Sequence, residues 1–547
     1  MAIRMALHGS RHPGRAVVAR SRSVCVRARR SIGTLLIAVA VQLTVLGTAL
    51  ASFSGTKTAG PGTFTAAKLA TPAGLATANG GCAGGNQQTN VSTTWTASAL
   101  VDANGNPLIS GYKLWRSTSS GGAYSEAGTT GIATSFTDVK PTGAETPQVF
   151  VGNGAAATVH AVNTLTYAGT SITTGTIGTE PNGVAVTPEG TNVVLAEGAS
   201  SQVQIITVSS HAVGAAVAIP EVGGVKSRPD AVAITPDGKT AYVVDGANNR
   251  VYPLTISSGA LGAGIAVGAQ GDPGAIVVTP DGKKAYVANY SAHNVSVITT
   301  ASNTVTATVT IGAGITGKPI ALAVTPSSAH VYVADQGNAQ IDDIATASDA
   351  VAKTIAVGSM ADANVAAGGD PNILAITPNG SKLYVASFTG HGVEDIAIPA
   401  DTLTGTITLR ETEPTPNALA LTPNGCQLYV HEHSHNKVDV ITVSTDAVLA
   451  TAITVGATGD PTGMSVTPDS KYVYVANTGG PSVSVIATEA NTVSETLATA
   501  KIGTAPYAVL ATPSPYYYKL QAGHGVWQSA LTASMRYPLG WNQGGWQ

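Results

Sequence analysis

Three histidines alternate within five residues, His431-Glu-His-Ser-His435. Imidazole nitrogens and a carboxylate are a donor set for zinc and related divalent cations, and in an extended strand every second side chain points the same way. On a strand, His431, His433 and His435 therefore converge on one ion, with Glu432 as a further ligand. The competing reading is a solvated polar loop, because the spacing matches no established zinc motif. A second set stands immediately before recurring prolines: Glu180, Arg228, Asp272, Lys318, Asp370, Thr415, Asp460 and Ala505. Acidic groups alternate there with two basic ones. Brought together, they form either a cation or polar-ligand site, or a ring of ion pairs that orders loops, with Asp serving as a turn residue before Pro. Other chemistry is missing from the sequence: it has no Cys-x-x-Cys-His for haem, no Gly-x-Ser-x-Gly elbow and no Gly-rich phosphate loop.

What must position these residues is a repeat. A proline, an apolar run, a Thr-Pro turn and an apolar-aromatic run recur along the chain, as in Pro229-Asp-Ala-Val-Ala-Ile-Thr-Pro236-Asp-Gly238 followed by Ala241-Tyr-Val-Val-Asp245. The Thr-Pro prolines are Pro188, Pro236, Pro280, Pro326, Pro378, Pro423, Pro468 and Pro513, spaced by 48, 44, 46, 52, 45, 45 and 45 residues. Each unit reads as four strands; in the third they are Ala275–Thr279, Ala285–Asn289, Val295–Thr299 and Thr304–Ile311. The first run is almost wholly apolar, as for a strand covered on both faces, while the later ones alternate Val or Ile with Thr or Ser, as in half-exposed outer strands. Pro sets φ in the Thr-Pro-Asp-Gly turn and Gly accepts φ > 0.

A period near 45 residues built only of strands and turns is that of a β-propeller blade, which cannot bury its own faces and must stack on neighbours. Seven complete units start at Pro181, Pro229, Pro273, Pro319, Pro371, Pro416 and Pro461. The eighth is split. Pro506–Pro513 supplies an inner strand, and Gln148–Asn153, Thr158–Val162 and Ser171–Ile177 supply its outer strands from the other end of the array. The expectation is an all-β protein with an eight-bladed propeller over 146–513, seven blades being the alternative. The residues preceding each first proline then circle one mouth of the central channel. The 52-residue spacing marks a long loop, Val357–Asp370, either a flap over that mouth or a tolerated insertion.

The repeats resemble the YVTN β-propeller family of bacterial and archaeal surface-layer-like proteins, on Ala285-Tyr-Val-Ala-Asn289, Val473-Tyr-Val-Ala-Asn477 and the Thr-Pro-Asp-Gly turns. The resemblance covers about two-thirds of the chain. It implies the fold and leaves function open, since related propellers include surface proteins, lactonase-like enzymes and the propellers of redox enzymes.

Residues 1–31 carry eight Arg and no acid, and an uncharged apolar run from Ile32 to Ala51 ends in Ala49-Leu-Ala51, a small-x-small cleavage signature. The reading is a signal peptide over 1–51; the alternative is a retained membrane anchor. Ala51-Ser-Phe-Ser-Gly55 through Gly62-Thr-Phe-Thr-Ala66 is similar to the leader junction of camelysin-like and biofilm-matrix surface proteins. The rest of the chain is therefore expected outside the cytoplasmic membrane, extracellular or on the cell surface. The whole chain has 28 basic and 31 acidic residues; without the leader 20 basic residues face 31 acidic, a net of −11. That balance excludes a nucleic-acid partner, whose phosphates it would repel. Of the three cysteines, Cys25 leaves with the leader, and Cys82 and Cys426 are expected as free thiols, with an interdomain bridge as the alternative.

Residues 68–145 break the repeat. Strands are expected at Ser92–Ser98, Gly111–Ser117 and Thr134–Asp138, and a closing pair follows the propeller at Tyr516–Ala522 and Trp527–Thr532. This pattern resembles a fibronectin type III domain, which implies core positions for Trp95 and Tyr112 and the tyrosine-corner place for Tyr518. The propeller then lies inserted in the sandwich, with 52–67 as an N-terminal linker, 140–147 and 514–515 as connections, 514–534 as closing strands and 535–547 unassigned. An unrelated tail is the alternative.

The functional expectation is a secreted or surface-displayed bacterial binding or scaffold protein without a cofactor, engaging extracellular proteins, cell-wall polymers or glycans. It meets a membrane only through an uncleaved leader. The alternative is a hydrolase or lactonase-like enzyme using a divalent cation held at the channel mouth.

Overall fold

The computed structural model describes residues 148–513, except 154–157, 175–180, 313–315, 359, 361–372, 388–389, 433–434, 457–460, 478–479 and 505, together with short strands on either side. Within 148–513 eight antiparallel sheets follow one another, each reading a-b-c-d from its first strand outward. Blade 2 is typical on its inner side: Pro229–Ile234, Thr240–Asp245 and Arg250–Thr255. Blades 1 and 3 to 7 begin with strands a at Pro181–Val186, Pro273–Val278, Pro319–Val324, Leu374–Ile376, Pro416–Leu421 and Pro461–Val466. Each strand a touches that of the next blade.

Blade 8 closes the ring from both ends. Its strand a, Pro506–Ala511, pairs with Gln148–Asn153, which pairs with Thr158–Asn163, which pairs with Gly169–Thr173. Pro506–Ala511 also touches strands a of blades 7 and 1. The propeller therefore has eight blades, not seven. The Thr-Pro turn survives the chain break. In blade 2 Thr235 N donates to Thr240 O at 2.9 Å and Thr240 N donates to Thr235 Oγ1 at 3.1 Å. In blade 8 Thr512 N donates to Gln148 O at 2.8 Å and Gln148 N donates to Thr512 Oγ1 at 2.9 Å, across 364 residues of sequence. Two chain ends thus rebuild the link that a single turn makes elsewhere, and the last blade is completed as a four-stranded sheet.

Strands a are buried as their apolar composition requires, for example throughout Pro229–Ile234 and Pro273–Val278. Strand c departs from expectation. Ser296, read as half exposed, is 0% exposed, and only strand d alternates, as in Thr304–Thr310. The outer strand is also broken in three blades, into Ala212–Val213 and Val217–Ala218, Ala260–Leu261 and Ile265–Ala266, and Ala447–Val448 and Ile453–Thr454.

Apolar clusters straddle neighbouring blades; one joins Ala231, Tyr242 and Val251 of blade 2 to Ile276, Val287 and Ile298 of blade 3. The tyrosine of the Tyr-Val signature reveals how. Tyr242, Tyr286, Tyr332, Tyr384 and Tyr429 are buried, and each hydroxyl donates to a side chain in the c–d hairpin of the following blade. The acceptors are Asn303 (2.6 Å), Asp349 (2.7 Å), Asp401 (2.6 Å), Asp446 (2.7 Å) and Asn491 (2.6 Å). All five acceptors have φ between 48° and 53°, the left-handed region that Asn and Asp tolerate. Where the aromatic differs, so does the receiver: Phe150 of blade 8 meets His211 of blade 1 edge-on at 6.4 Å, and Val194 of blade 1 takes the tyrosine's place in the repeat while Gly259 of blade 2 takes the acceptor's. At the blade 7–8 junction Tyr474 faces a hairpin carrying Tyr167, and its buried hydroxyl has no hydrogen-bond partner among the described residues.

Outside the ring, Ala73–Asn79, Val91–Thr96 and Ser135–Asp138 form one sheet of a second compact unit. Tyr516–His524 pairs with Gly111–Ser117, placing Tyr517 opposite Ser117 and Gly523 opposite Gly111. Ser125–Thr130, Trp527–Gln528 and Met535–Tyr537 complete that sheet, in which Tyr112 and Leu114 are buried. Residues on either side of the propeller therefore share one sheet. The Trp95 and Tyr518 side chains lie outside the described residues. Val41–Leu43 and Ala51–Phe53, around the expected leader junction, form a short antiparallel pair.

Tyr332→Phe leaves Asp401, itself 8% exposed, without its donor and should destabilise the ring by about 1–3 kcal/mol. Tyr474→Phe removes a hydroxyl with no partner and should change stability by less than about 0.5 kcal/mol or raise it. Paired denaturant titrations check the contrast; equal losses would show that the hydroxyl contacts do not join blades.

Candidate functional site

Strand a opens with a β-bulge in seven blades: Pro229 pairs with Asp245, and Ala231 with Val244, so Asp230 is left out of the ladder. Bulges re-aim the extra side chain, here at the mouth end of each blade. Asn417 occupies the same place in blade 6, and its Oδ1 accepts a 2.6 Å hydrogen bond from His431 Nδ1. The bulged positions were not legible as site residues, although each follows the unit's first proline. Strand b ends at this mouth in a polar residue that is at most 1% exposed in all eight blades: Asn153, Glu197, Asp245, Asn289, Asp335, Ser387, Glu432 and Asn477. Asp245 Oδ1 accepts the Arg228 N–H at 2.9 Å, and Asp335 Oδ1 accepts the Lys318 N–H at 2.7 Å. In blades 2 and 4 these carboxylates satisfy the backbone donor just before the inner strand.

Arg228 and Asp272 are brought together. Arg228 Nε bonds Asp230 Oδ2 at 2.8 Å and its Nη2 bonds Asp272 Oδ1 at 2.9 Å, which joins blades 2 and 3. Asp272 has φ 43°, and its N–H donates to Asn249 Oδ1 at 2.9 Å. Lys318 takes no part in this cluster: its Nζ lies 5.5 Å from the centre of the Tyr290 ring, a cation–π contact between blades 4 and 3. Glu180, Asp370 and Asp460, with most of the 357–370 loop, lie outside the described residues, as does Ala505.

The histidine motif is divided by the end of a strand. Gln427–Glu432 is strand b of blade 6, so the two-residue alternation stops at Glu432. His431 and Glu432 occupy opposite faces. Beyond the strand the chain turns, and His435 Nδ1 comes within 3.5 Å of Glu432 Oε2. His433 lies outside the described residues. Among the described residues no group of three or more His, Cys, Asp or Glu side chains is arranged to hold a metal ion.

Glu432 has a further neighbour. In strand c the third residue packs beside the end of strand b, as where Asn289 Nδ2 donates to Ser296 Oγ at 2.9 Å and Asn477 Nδ2 to Ser484 Oγ at 3.1 Å. In blade 6 this pair is two acids, Glu432 and Asp439, both 0% exposed. Asp439 Oδ2 accepts the Arg410 N–H at 2.9 Å, whereas neither Glu432 oxygen has a hydrogen-bond partner among the described residues. Burial, then the Asp439 and Glu411 carboxylates, push the Glu432 carboxyl up to about 8. Lys437, ion-paired to Glu411, opposes that rise. Blade 1 places Glu197 at the same position; burial raises it to about 7 against a 2.9 Å hydrogen bond from Ser200 Oγ. Both side chains can hold a proton at neutral pH.

Two further features stand apart from the mouth. Cys426 in the blade 6 Thr-Pro turn is disulfide-bonded, which corrects the free thiol expected there. A cleft of about 890 Å³ opens between blades 5 and 6, lined by residues that include Lys382, Asp395, Arg410 and Asp446.

No protein-family model matches this chain, and no curated protein matches it. Among solved structures it is similar to Kuenenia stuttgartiensis hydrazine synthase, at 20% identity and TM-score 0.44 over 57% of this chain and 98% of that one. It is also similar to the β-propeller domain of Myceliophteria thermophila Cps50 (Swd1), at 10% identity and TM-score 0.44 over 56% and 95%. A functionally unknown protein from Desulfotomaculum acetoxidans DSM 771 matches at 19% identity and TM-score 0.41 over 55% and 94%. Likenesses at this level carry no argument about family or activity.

Proposed function

We propose that this chain is an exported bacterial binding or scaffold protein, released from or displayed on the cell surface, whose propeller engages extracellular proteins, cell-wall polymers or glycans. The observation that carries this reading is how the charged groups at the mouth are used. Arg228 is shared between Asp230 and Asp272, and Lys318 lies over Tyr290, so these groups order loops and join blades. The inner strands offer little besides apolar side chains, as in Ala275-Ile-Val-Val278. The disulfide at Cys426 supports an oxidising compartment, in line with the Arg-rich leader. The YVTN resemblance and the fibronectin type III resemblance belong to the same proposal; pairing of Tyr516–His524 with Gly111–Ser117 supports a module interrupted by the propeller.

A second reading, a divalent-cation-dependent hydrolase, is favoured by one observation: the buried Glu432 and Asp439 carboxyls lie side by side near His435.

Three measurements separate and test these readings. Purified mature protein should sediment with intact cell envelope equally with and without chelator; retention of a metal through dialysis, with hydrolysis lost on Asp272→Ala or Asp370→Ala, would favour the enzyme instead. Unreduced, denatured mature protein should titrate no free thiol, because removal of Cys25 leaves two cysteines and Cys426 is bonded. A chain retaining the leader has three cysteines and so at least one free thiol. Finally, the folded state keeps the Glu432 proton above its ordinary value of 4.5 and releases it near 8. The unfolded chain binds fewer protons in that window, so stability should fall as pH rises from about 4.5 to 8. Glu432→Gln should flatten that slope in Tm measured against pH; an unchanged slope would mean that Glu432 is ionised throughout.

A further inference from the structure

Blade 5 differs from its neighbours at one residue of strand d. Its outer strand, Thr402–Thr408, pairs with Gly392–Ala397, and Asp395 stands opposite Gly405. In blade 4 the same register places Asp343 opposite Lys353, whose Nζ reaches across to donate to Ala400 O at 2.9 Å. Blades 3 and 7 have Ala307 and Glu495 at this position. A Cβ built at Gly405 meets nothing within 4 Å, and Gly405 has no positive φ, so the backbone does not require glycine there. What the missing side chain leaves is space. Beside it blade 6 has its outer strand broken between Ala447–Val448 and Ile453–Thr454. The cleft of about 890 Å³ opens at this junction, within the range of about 300–1,000 Å³ typical of small-ligand sites.

The polar wall of the cleft is built and held. Lys382 Nζ bonds Asp395 Oδ2 at 3.1 Å and also Asp446 Oδ2 of blade 6. Thr404 Oγ1 donates to Asp395 Oδ2 at 2.6 Å. Arg410 is fixed by 2.8 Å bonds from Nε to Leu449 O and from Nη2 to Val448 O. Asp395 is 5% exposed, and its buried Oδ1 has no hydrogen-bond partner among the described residues, an arrangement that costs free energy in an isolated protein. Strand d is the outermost of its sheet, so its edge adds further backbone donors and acceptors.

Resting on the surface-binding reading above, we propose that this cleft is a binding site for a neutral, hydroxyl-rich ligand, an oligosaccharide segment. One Lys and one Arg stand against two Asp, so the wall has no net charge to attract an anion or a cation. A cation would compete with Lys382 for both carboxylates, and an anion would meet them directly. Sugar hydroxyls both donate and accept, which suits a wall of interleaved carboxylates, cations, hydroxyls and strand edge. The bulge between Asp395 and Ile396 disturbs the register a docking peptide strand would need.

The test uses the mature chain and Gly405→Lys, which puts into the cleft the side chain that blade 4 carries at the same position as Lys353, with Asp395→Asn as a second variant. Titration calorimetry with neutral tetraoses (chitotetraose, cellotetraose, maltotetraose and mannotetraose) should show binding of at least one, weakened tenfold or more by Gly405→Lys at unchanged Tm and also weakened by Asp395→Asn. No binding at millimolar tetraose, affinity unaffected by Gly405→Lys, or binding of calcium or an extended peptide alone would overturn the proposal. Envelope sedimentation separates the two levels. If wild type and Gly405→Lys sediment equally while tetraoses fail, the site is wrong and the surface-binding reading stands. If wild type does not sediment and tetraoses fail, both fall; if it does not sediment while tetraoses bind and Gly405→Lys weakens them, only the surface-binding reading falls.

Discussion

A blade of four strands has two apolar faces and no means of covering either, so everything else in this propeller depends on how one blade meets the next. The contact is concentrated at one position of strand b. From blades 2 to 6 a tyrosine there crosses the junction and gives its hydroxyl to an Asn or Asp in the next c–d hairpin. Ring and hydroxyl act together: the ring fills the space between sheets, and the hydrogen bond fixes the height at which the sheets slide together. Burial raises the tyrosines, Tyr242 to about 12, so the hydroxyls remain donors throughout the physiological range. The acceptor must sit at positive φ, which explains why that hairpin carries Asn or Asp in these blades. Phe150 with His211, and Val194 and Gly259 at the equivalent positions of blades 1 and 2, show that aromatic and receiver change together.

Closure imposes the second constraint. Because the last sheet takes one strand from the far end and three from the near end, ring integrity is a long-range contact, sealed by the Thr512–Gln148 turn equivalent. The same arrangement brings both ends of the propeller segment to one blade. Tyr516–His524 can then return to Gly111–Ser117 after the whole propeller has been made.

The polar residues at the mouth are largely consumed by these structural tasks. Asp245 and Asp335 hold backbone amides, and Arg228 and Asp272 hold adjacent blades. Departures from the repeat are more informative than the repeat. Glu432 with Asp439 replaces pairs that are Asn with Ser in blades 3 and 7, and Gly405 replaces Ala, Lys or Glu of other blades. One leaves a buried carboxyl that holds a proton, the other an open cleft.

Much of the architecture was legible from residues alone. The 45-residue period, the Thr-Pro turns and the near-continuous apolar first runs determine four-stranded blades, and the split unit at the two ends determines the closure, because local turn chemistry and burial pattern act within one repeat. The pairing of Arg228 with Asp272 was foreseeable as one of two outcomes. Other features had no local signal. The alternation through His431, His433 and His435 fails because a strand end, set by pairing with Pro416, falls at Glu432. Strand c looked half exposed because Thr or Ser alternates there with Val or Ile, yet Ser296 is buried beside Asn289 of its own blade. The cleft beside Gly405 depends on which side chains the ring brings within reach. A repeat encodes what each blade is; only the stacking of blades decides which faces are covered and which gaps remain.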